Sequence, residues 1–371
     1  MADPRITALA KTLVHHSIDV RAGENVLVEA FDTSHEPIVT ELVREIHRIG
    51  ASAFVVLQDY SVRRAMLEGA SEKSLGLEAE IAVSRLGRMD CYIGLDAARN
   101  RAEMATVPTE RMRLFSQAYS SPVSSAMLKT RWVQARLATL ALAQSAGMGC
   151  DEFEDYYYRV ATMDYEKLGQ RSEPLAVRMR AADKVRVLAP GTDLSVSLKG
   201  FTALVADGRR NLPDGEVAST PVRDSMEGTI SFNVPSLHNG FIYNNIRLVF
   251  EKGRVVEATA NDSGRFQRDI DVDANARYIG EFSFGTNPYL CKHITDTLFD
   301  EKMAGSLHMA LGCCYNFPGR DNGNYSSIHW DLIQSHLPEY GGGEVWLDGE
   351  LIRKDGQFLP RDLQPLNPDQ Y

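Results

Sequence analysis

The sequence contains no long hydrophobic run and no targeting segment. No apolar stretch approaches the roughly 20 residues that a membrane-spanning helix requires. The first residues lead into an amphipathic helix and lack the charged and apolar regions of a signal peptide. The five cysteines are odd in number and irregularly spaced, which argues against a disulfide framework. We therefore expect a cytoplasmic protein with no membrane partner.

Basic clusters and the common cofactor motifs are also missing. The chain has 40 lysines and arginines against 50 acidic residues, a formal net charge of -10, and no basic cluster. We therefore expect no nucleic-acid partner. The sequence lacks a G-x-G-x-x-G fingerprint after the first predicted strand, a Walker loop, a G-x-S-x-G elbow and an H-E-x-x-H helix. The chemistry must therefore come from other residues.

The first half of the chain alternates between helical and strand-like patterns. Helices are predicted over 4–18, 37–49 and 61–86, and strands over 25–29, 53–57 and 90–95. This alternation predicts a mainly parallel sheet covered by helices on both faces. Two more helices are predicted over 131–145 and 151–163, the second capped by Asp151.

Strands predominate after about residue 170. They are predicted over 184–188, 193–198, 229–234, 246–251 and 255–260. Lys252-Gly253 and Asp348-Gly349 are typical of tight hairpin turns. The sequence thus predicts a layered α/β domain over 1–168 with a mainly parallel sheet. A β-rich α+β domain follows over 169–371 and carries every candidate for chemistry.

Two short segments suggest a metal site. His329 and Asp331 alternate with apolar neighbours, so a strand would present both side chains on one face. His308 alternates in the same way with Leu307 and Met309. Two imidazoles and a carboxylate directed from rigid strands are typical ligands of a divalent metal ion.

Further carboxylates and a tyrosine surround these histidines in the sequence. Glu216 follows a Pro-Asp-Gly turn, and Glu281 alternates with phenylalanines. Glu301 lies near His308, and Tyr315 follows the same predicted strand. Each residue alone could be structural, as a solvated glutamate, a hydrogen-bonded histidine or a packed tyrosine. Together, three carboxylates and two histidines could hold two divalent ions that activate water.

Several segments, taken in order, resemble a known family. They are LPDGEV at 212–217, IGEFSFGTNP at 279–288, DEKMAGSLHMALG at 300–312 and IHWD at 328–331. GTDL at 191–194, EGT at 227–229 and GEVWLDGEL at 343–351 extend the series. The series resembles the M29 family of metallo-aminopeptidases, the aminopeptidase T and aminopeptidase S group. The resemblance covers most of the chain and is densest from residue 130 onward.

The resemblance implies a two-metal centre of zinc, cobalt or manganese, in which activated water removes the N-terminal residue of a small peptide. The implied metal ligands are Glu216, Glu281, His308, His329 and Asp331. Tyr315 would stabilise the oxyanion, and Glu216 or Glu281 would carry the proton to the leaving amine. The family also implies a homodimer. Glu301 lies two residues farther from His308 than the corresponding acid of the family, so the resemblance leaves its role open.

Two alternatives remain at this point. Two histidines and one carboxylate also fit a non-haem Fe(II) oxygenase, and the 2,5-dihydroxypyridine ring-cleaving dioxygenases resemble the same fold family. Those enzymes have a histidine where this chain has Glu281 and lack the acid that matches Glu216, so both glutamates favour hydrolysis. A non-enzymatic binding scaffold is the other alternative, but it would be expected to have lost some of the ligands.

Overall fold

The computed structural model describes residues 3–32, 37–316 and 318–371. The chain divides into two compact units. The first runs to Met163 and includes Gly208–Pro213, and the second comprises Asp164–Asp207 and Asp214–Tyr371. The domain boundary drawn at residue 168 from the sequence stays a prediction. In the described ranges, no helix combines the length and apolar character needed to cross a bilayer.

The strands are numbered along the chain. They are β1 Asn25–Phe31, β2 Ser52–Gln58, β3 Cys91–Asp96, β4 Arg131–Arg136, β5 Lys184–Ala189, β6 Thr192–Ser197, β7 Ala203–Ala206, β8 Asn211–Leu212, β9 Glu216–Ser219, β10 Glu227–Phe232, β11 Ser236–His238, β12 Phe241–Tyr243, β13 Ile246–Glu251, β14 Arg254–Thr259, β15 Ile279–Gly285, β16 Ser306–Gly312, β17 His329–Ser335, β18 Glu344–Leu347, β19 Glu350–Lys354 and β20 Gln357–Phe358.

The helices lie mainly in the first unit. They are α1 Pro4–Lys11, α2 Pro37–Arg48, α3 Tyr60–Gly69, α4 Glu72–Leu86, α5 Thr109–Phe115, α6 Ser121–Met127, α7 Leu140–Ala146, α8 Cys150–Ala161, α9 Tyr165–Ala181, α10 Ser263–Ile270 and α11 Thr297–Asp300. Thr12–Ser17 and Ser116–Ser120 are π-helical, and Pro338–Tyr340, Gln364–Leu366 and Pro368–Gln370 are single 3₁₀ turns.

The first unit is built on a parallel sheet with strand order β2-β1-β3-β4-β8. The predicted α/β alternation is present, with the stretch predicted as one helix over 61–86 divided into α3 and α4. Local sequence explains several helix ends. Ser71 and Ser74 form a reciprocal capping box at the start of α4, and Gly147 ends α7 at a φ of 63°.

The helix predicted over 131–145 is wrong in its first half. Arg131–Arg136 is strand β4, which pairs in parallel with β3, and its buried residues Val133 and Ala135 alternate with more exposed ones. Tertiary pairing therefore overrides the helical preference of the local sequence. The predicted cap of α8 also differs, since Gly149 is its N-cap and Asp151 lies in the first turn.

The second unit contains two large antiparallel sheets. One has the order β14-β13-β10-β6-β5-β18-β19-β20. Its two predicted hairpin turns are confirmed. Lys252 and Gly253 have φ values of 49° and 78°, and Asp348 and Gly349 have values of 47° and 86°. These left-handed pairs match the turns that connect tightly paired strands.

The other large sheet of the second unit has the order β17-β16-β15-β9-β7, and we call it the site sheet. Its strands β15 and β16 are buried along their whole length, so neither face of these strands meets solvent. One face packs apolar side chains into the core, among them Phe282, Phe284, Leu307, Met309 and Leu332. The opposite face holds the residues described next.

Candidate metal centre

The register of the site sheet places all five predicted ligands on one face, which we call the ligand face. Glu281 of β15 and Asp331 of β17 lie on either side of Ala310 in β16. Small residues also lie beside the other ligands. Gly285 is opposite Glu216, Ser283 is opposite His308, and Gly312 is opposite His329. The small neighbours leave room for the ligand side chains to converge.

Two histidines and three carboxylates meet on this face. His308 Nε2 lies 3.1 Å from Glu216 Oε2 and 3.9 Å from Asp331 Oδ1. His329 Nε2 lies 3.6 Å from Glu281 Oε2 and 3.6 Å from the same Asp331 oxygen. Asp331 Oδ1 is therefore close to both imidazoles. Glu216, Glu281 and His308 also form a group whose ligand atoms lie within 4.8 Å of one another.

Backbone carbonyls orient both imidazole rings. The Nδ1 atom of His308 lies 3.0 Å from the Glu301 carbonyl oxygen, and that of His329 lies 2.8 Å from the Cys313 carbonyl oxygen. Because a carbonyl can only accept, Nδ1 of each ring carries a proton, and Nε2 of each ring faces the carboxylates. This orientation is the usual one for a metal-binding histidine.

The Cys313 carbonyl depends on a glycine in the adjacent strand. A Cβ atom built on Gly280 would lie 2.2 Å from this oxygen, so only glycine allows the two backbones to approach so closely.

Unsatisfied buried oxygens test whether the site fits a cation. Among the described residues, Glu281 Oε2 and Asp331 Oδ1 are buried oxygens that accept no hydrogen bond. Buried polar atoms are normally paired, so these two unpaired oxygens suit a positively charged ligand. Nitrogen and carboxylate donors together are appropriate for a divalent transition metal. The residues present therefore fit the metal that the sequence predicts.

Electrostatic coupling shifts the pKa values of the histidines. Burial lowers the pKa of His308, but the hydrogen bond to Glu216 and the charges of Glu216, Asp331 and Glu301 outweigh it and raise the pKa to about 9. Burial also opposes ionisation of His329, yet Asp331 and Glu281 raise its pKa. The raised pKa values indicate that the carboxylates favour a positive charge at the two histidines.

The pKa values of the two glutamates are displaced in opposite directions. Burial raises the pKa of Glu281, and the charge of Glu216 adds to the effect despite the opposing charge of Arg320. Burial opposes ionisation of Glu216 too, but Lys302 and His308 hold its pKa below the usual range. Glu216 is thus the more strongly ionised of the two.

Two buried cations beside the glutamates were not predicted from the sequence as site residues. Lys302 Nζ lies 2.8 Å from Glu216 Oε1. Arg320 lies with its Nη2 atom 3.4 Å from Glu281 Oε1, and its Nη1 donates to the Ala218 carbonyl. Lys302 follows Glu301 in the segment DEKMAGSLHMALG, and its position beside Glu301 was the one feature of the sequence that could have pointed to it. Arg320 lies in a segment without periodicity.

The structure also places the remaining two candidates. The Tyr315 ring lies 5.4 Å from the His329 ring, centroid to centroid, and Arg320 Cζ lies 4.8 Å from the centre of the tyrosine ring. The charge of Glu281 is the main cause that raises the pKa of Tyr315 well above its usual value, and the residue as a whole is 41% exposed. Glu301 is buried and forms a group with His308 and Asp331 whose ligand atoms lie within 4.8 Å of one another.

A family comparison identifies the chain. The family model described as "Thermophilic metalloprotease (M29)" matches residues 2–358. The chain belongs to the M29 family. This membership confirms the predicted family and the predicted class of enzyme, a metal-dependent hydrolase. The roles assigned to individual residues stay predictions, as do the homodimer, the peptide substrate and the cytoplasmic location.

Aminopeptidases are among the relatives of this M29 protein. It is 24% identical to aminopeptidase PepS from Streptococcus thermophilus over 95% of each chain. It is 32% identical to aminopeptidase T from Thermus thermophilus over 46% of this chain and 45% of the relative.

Two solved structures share the fold of this M29 protein. Wild-type AmpT from Thermus thermophilus matches with a TM-score of 0.83 and 23% identity, covering 96% of this chain and 99% of that one. A 2,5-dihydroxypyridine dioxygenase from Pseudomonas putida KT2440 matches with a TM-score of 0.63 and 14% identity, covering 98% and 99%. The predicted combination of a parallel α/β sheet with antiparallel sheets is confirmed. At these identities the likeness concerns the fold alone.

Proposed function

We propose that this M29 protein is a metallo-aminopeptidase that removes the N-terminal residue from small peptides. Two divalent ions, zinc, cobalt or manganese, would be held by Glu216, Glu281, His308, His329 and Asp331. The observation that carries the proposal is the position of Asp331 Oδ1, within 3.9 Å of both Nε2 atoms, with a glutamate oxygen beside each histidine. A pair of divalent ions lowers the pKa of bound water and polarises the scissile carbonyl.

Tyr315 and Glu281 would act on the substrate directly. The Tyr315 hydroxyl keeps its proton because its pKa is raised, so it can donate a hydrogen bond to the developing oxyanion. Glu281 would accept a proton from the attacking water and deliver it to the leaving amine. Its raised pKa supports this role.

The negative charge of the site would explain the choice of the first peptide bond. The free α-amino group of a peptide is its cationic end, and a site carboxylate can hold it beside the scissile carbonyl. An internal peptide bond offers no such group. Binding energy from this contact would therefore be available only to N-terminal residues, which is the specificity of an exopeptidase.

The dioxygenase structure shares the fold, and two histidines with Asp331 would by themselves suit a mononuclear iron site. The likeness to the dioxygenase structure does not separate the two chemistries. The donor set favours hydrolysis, because Glu281 and Glu216 both join the two histidines and Asp331 on the ligand face. A mononuclear Fe(II) site needs only two histidines and one carboxylate.

Metal analysis combined with hydrolysis of amino-acyl anilides tests the proposal. We expect two equivalents of divalent metal per chain, release of aniline product, loss of release on chelation, and recovery when Zn²⁺, Co²⁺ or Mn²⁺ is restored. The variant Asp331→Asn should lose metal and activity. The control Glu257→Gln, at an exposed residue of β14, should retain both. One equivalent of iron, no hydrolysis, and oxygen-dependent consumption of 2,5-dihydroxypyridine would overturn the proposal.

A further inference from the structure

A lysine ammonium is buried among the carboxylates of the candidate metal centre. The side chain of Lys302 is 1% exposed, and its Nζ lies 2.8 Å from Glu216 Oε1 and 2.6 Å from Glu301 Oε1. Asp214 Oδ1 is 3.8 Å away. A fixed positive charge repels metal ions, so its presence next to proposed ligands requires a reason.

The contacts of Lys302 distinguish the two oxygens of Glu216. Oε1 is held by the ammonium, whereas Oε2 faces His308 Nε2 at 3.1 Å. The Ser283 hydroxyl lies 3.2 Å from Oε2 on the same face. A carboxylate can bind a cation through one oxygen or through both. The ammonium leaves only Oε2 of Glu216 directed toward the histidine.

The glutamate at the other side of the site has the same arrangement. Glu281 Oε1 lies 3.4 Å from Arg320 Nη2, and Oε2 lies 3.6 Å from His329 Nε2. Each glutamate therefore has one oxygen beside a buried cation and the other beside a histidine. This repetition indicates that the cations orient the glutamates and do more than balance charge.

Lys302 also engages the carboxylate whose role the sequence left open. Glu301 Oε1 accepts a hydrogen bond from the ammonium, and the Glu301 carbonyl accepts one from His308 Nδ1. The Glu301 carbonyl thus orients His308, and the Lys302 ammonium holds Glu216. The Glu301 carboxylate already has a cationic partner.

We propose that Lys302 is a positioning residue: it holds Glu216 so that Oε2 alone faces the metal centre. The proposal rests on the proposed function in taking Glu216 as a metal ligand. Partners that orient metal ligands typically affect metal affinity by about 10–100-fold.

Metal affinity measured without turnover tests this role. Competition with a chromogenic chelator gives the Zn²⁺ affinity of the wild type, of Lys302→Met and of Lys199→Met, whose lysine is 75% exposed. We expect Lys302→Met to bind at least one Zn²⁺ about 10–100-fold more weakly, with Lys199→Met unchanged. A Co²⁺ absorption spectrum that changes only in Lys302→Met would support a changed ligand geometry.

The sign of the effect decides between positioning and simple charge. If the ammonium only repels metal, its removal tightens Zn²⁺ binding, and tighter or unchanged binding would overturn the proposal. A second variant covers the case in which Lys302→Met does not fold. Lys302→Gln, which keeps a hydrogen-bond donor but not the charge, should also weaken Zn²⁺ binding relative to the wild type, and tighter or unchanged binding would overturn the proposal.

Failure of this inference is distinguishable from failure of the proposed function. A wild-type protein that binds no divalent metal would overturn both. A wild type that binds two ions, together with a Lys302→Met variant of equal affinity, would overturn the positioning role alone.

Discussion

The two faces of the site sheet have opposite chemistry, although both are buried along β15 and β16. One face packs phenylalanine, leucine and methionine side chains at 0% exposure, such as Phe282 and Met309. The other face directs Glu281 and His308, which are 2% and 1% exposed, toward the candidate metal centre. Strands buried on both faces usually carry nearly continuous hydrophobic residues. Alternation in these strands therefore separates a stabilising face from a functional one.

The difference between the faces is energetic. Burial of the apolar face contributes favourably in proportion to the area removed from water. Burial of ionised groups is unfavourable unless they have partners of opposite charge. On the ligand face those partners are the histidines, Lys302 and Arg320, and a bound cation would supply the remaining positive charge. Substitutions on the two faces should consequently fail in different ways.

The largest effect is expected for Glu281→Gln on the ligand face. Loss of the proposed base and ligand charge should lower kcat/KM for an amino-acyl anilide by about 10²–10⁴-fold. The free energy of unfolding of the metal-free protein should fall by no more than about 1 kcal/mol, because the change is isosteric. Steady-state kinetics and urea denaturation check the two expectations. A variant with normal activity would remove Glu281 from the mechanism.

Tyr315→Phe should lower kcat by about 10²–10³-fold through loss of one oxyanion donor. The metal content should stay at the wild-type value, because a phenol ring beside His329 is not among the proposed ligands. Kinetics and metal analysis on the same preparation separate the two effects. Full activity with full metal content would exclude the tyrosine from the reaction.

Phe282→Ala tests the opposite face. Removing this fully buried ring should lower the free energy of unfolding by about 3–5 kcal/mol. Metal content should be retained at a temperature at which the variant is folded, because the ring points away from the ligands. Denaturant unfolding and metal analysis give both values. Loss of metal from a folded variant would show that the two faces are not independent.

A smaller, pH-dependent effect is expected where the apolar face meets β11. The His238 ring stacks on Trp330 with centroids 3.8 Å apart, and burial lowers the pKa of His238 to about 4. The unfolded state, with a pKa near 6.5, binds more protons between these values. The free energy of unfolding should therefore fall as pH drops from 6.5 to 4, by about 1–2 kcal/mol at pH 5.

The variant His238→Phe isolates this contribution. It keeps a ring on Trp330 but has no proton to bind, so the difference between variant and wild type should change with pH in the stated window. Denaturant unfolding at pH 7 and pH 5 measures it. A pH-independent difference would mean that His238 is not buried as a neutral ring.

Much of the fold was predictable because its strands carry local periodicity. The two hairpins required left-handed residue pairs, and the sequence supplies Lys252-Gly253 and Asp348-Gly349 at those points. Strand β4 was not predictable, because residues 131–136 fit a helical pattern as well as a strand. The deciding factor is parallel pairing with β3, which involves residues 40 positions earlier.

The site was predictable in composition but less so in its surroundings. Alternation and family resemblance together selected the residues that converge on the ligand face, as with His308 and Asp331. Lys302 was not predicted as a site residue, since nothing in the local sequence shows that it is buried. Arg320 reaches Glu281 through a fold that joins distant segments, and one sequence carries no signal of that contact.

Gly280 extends the candidate centre beyond its donor atoms. Its missing side chain admits the Cys313 carbonyl, and that carbonyl determines which nitrogen of His329 bears the proton. A single added methyl group would press on the carbonyl and release the imidazole to rotate or change tautomer. The chemical state of the histidine is thus encoded in part by a residue with no functional group. A substitution of Gly280 could therefore alter this centre while every metal-binding donor atom stays in place.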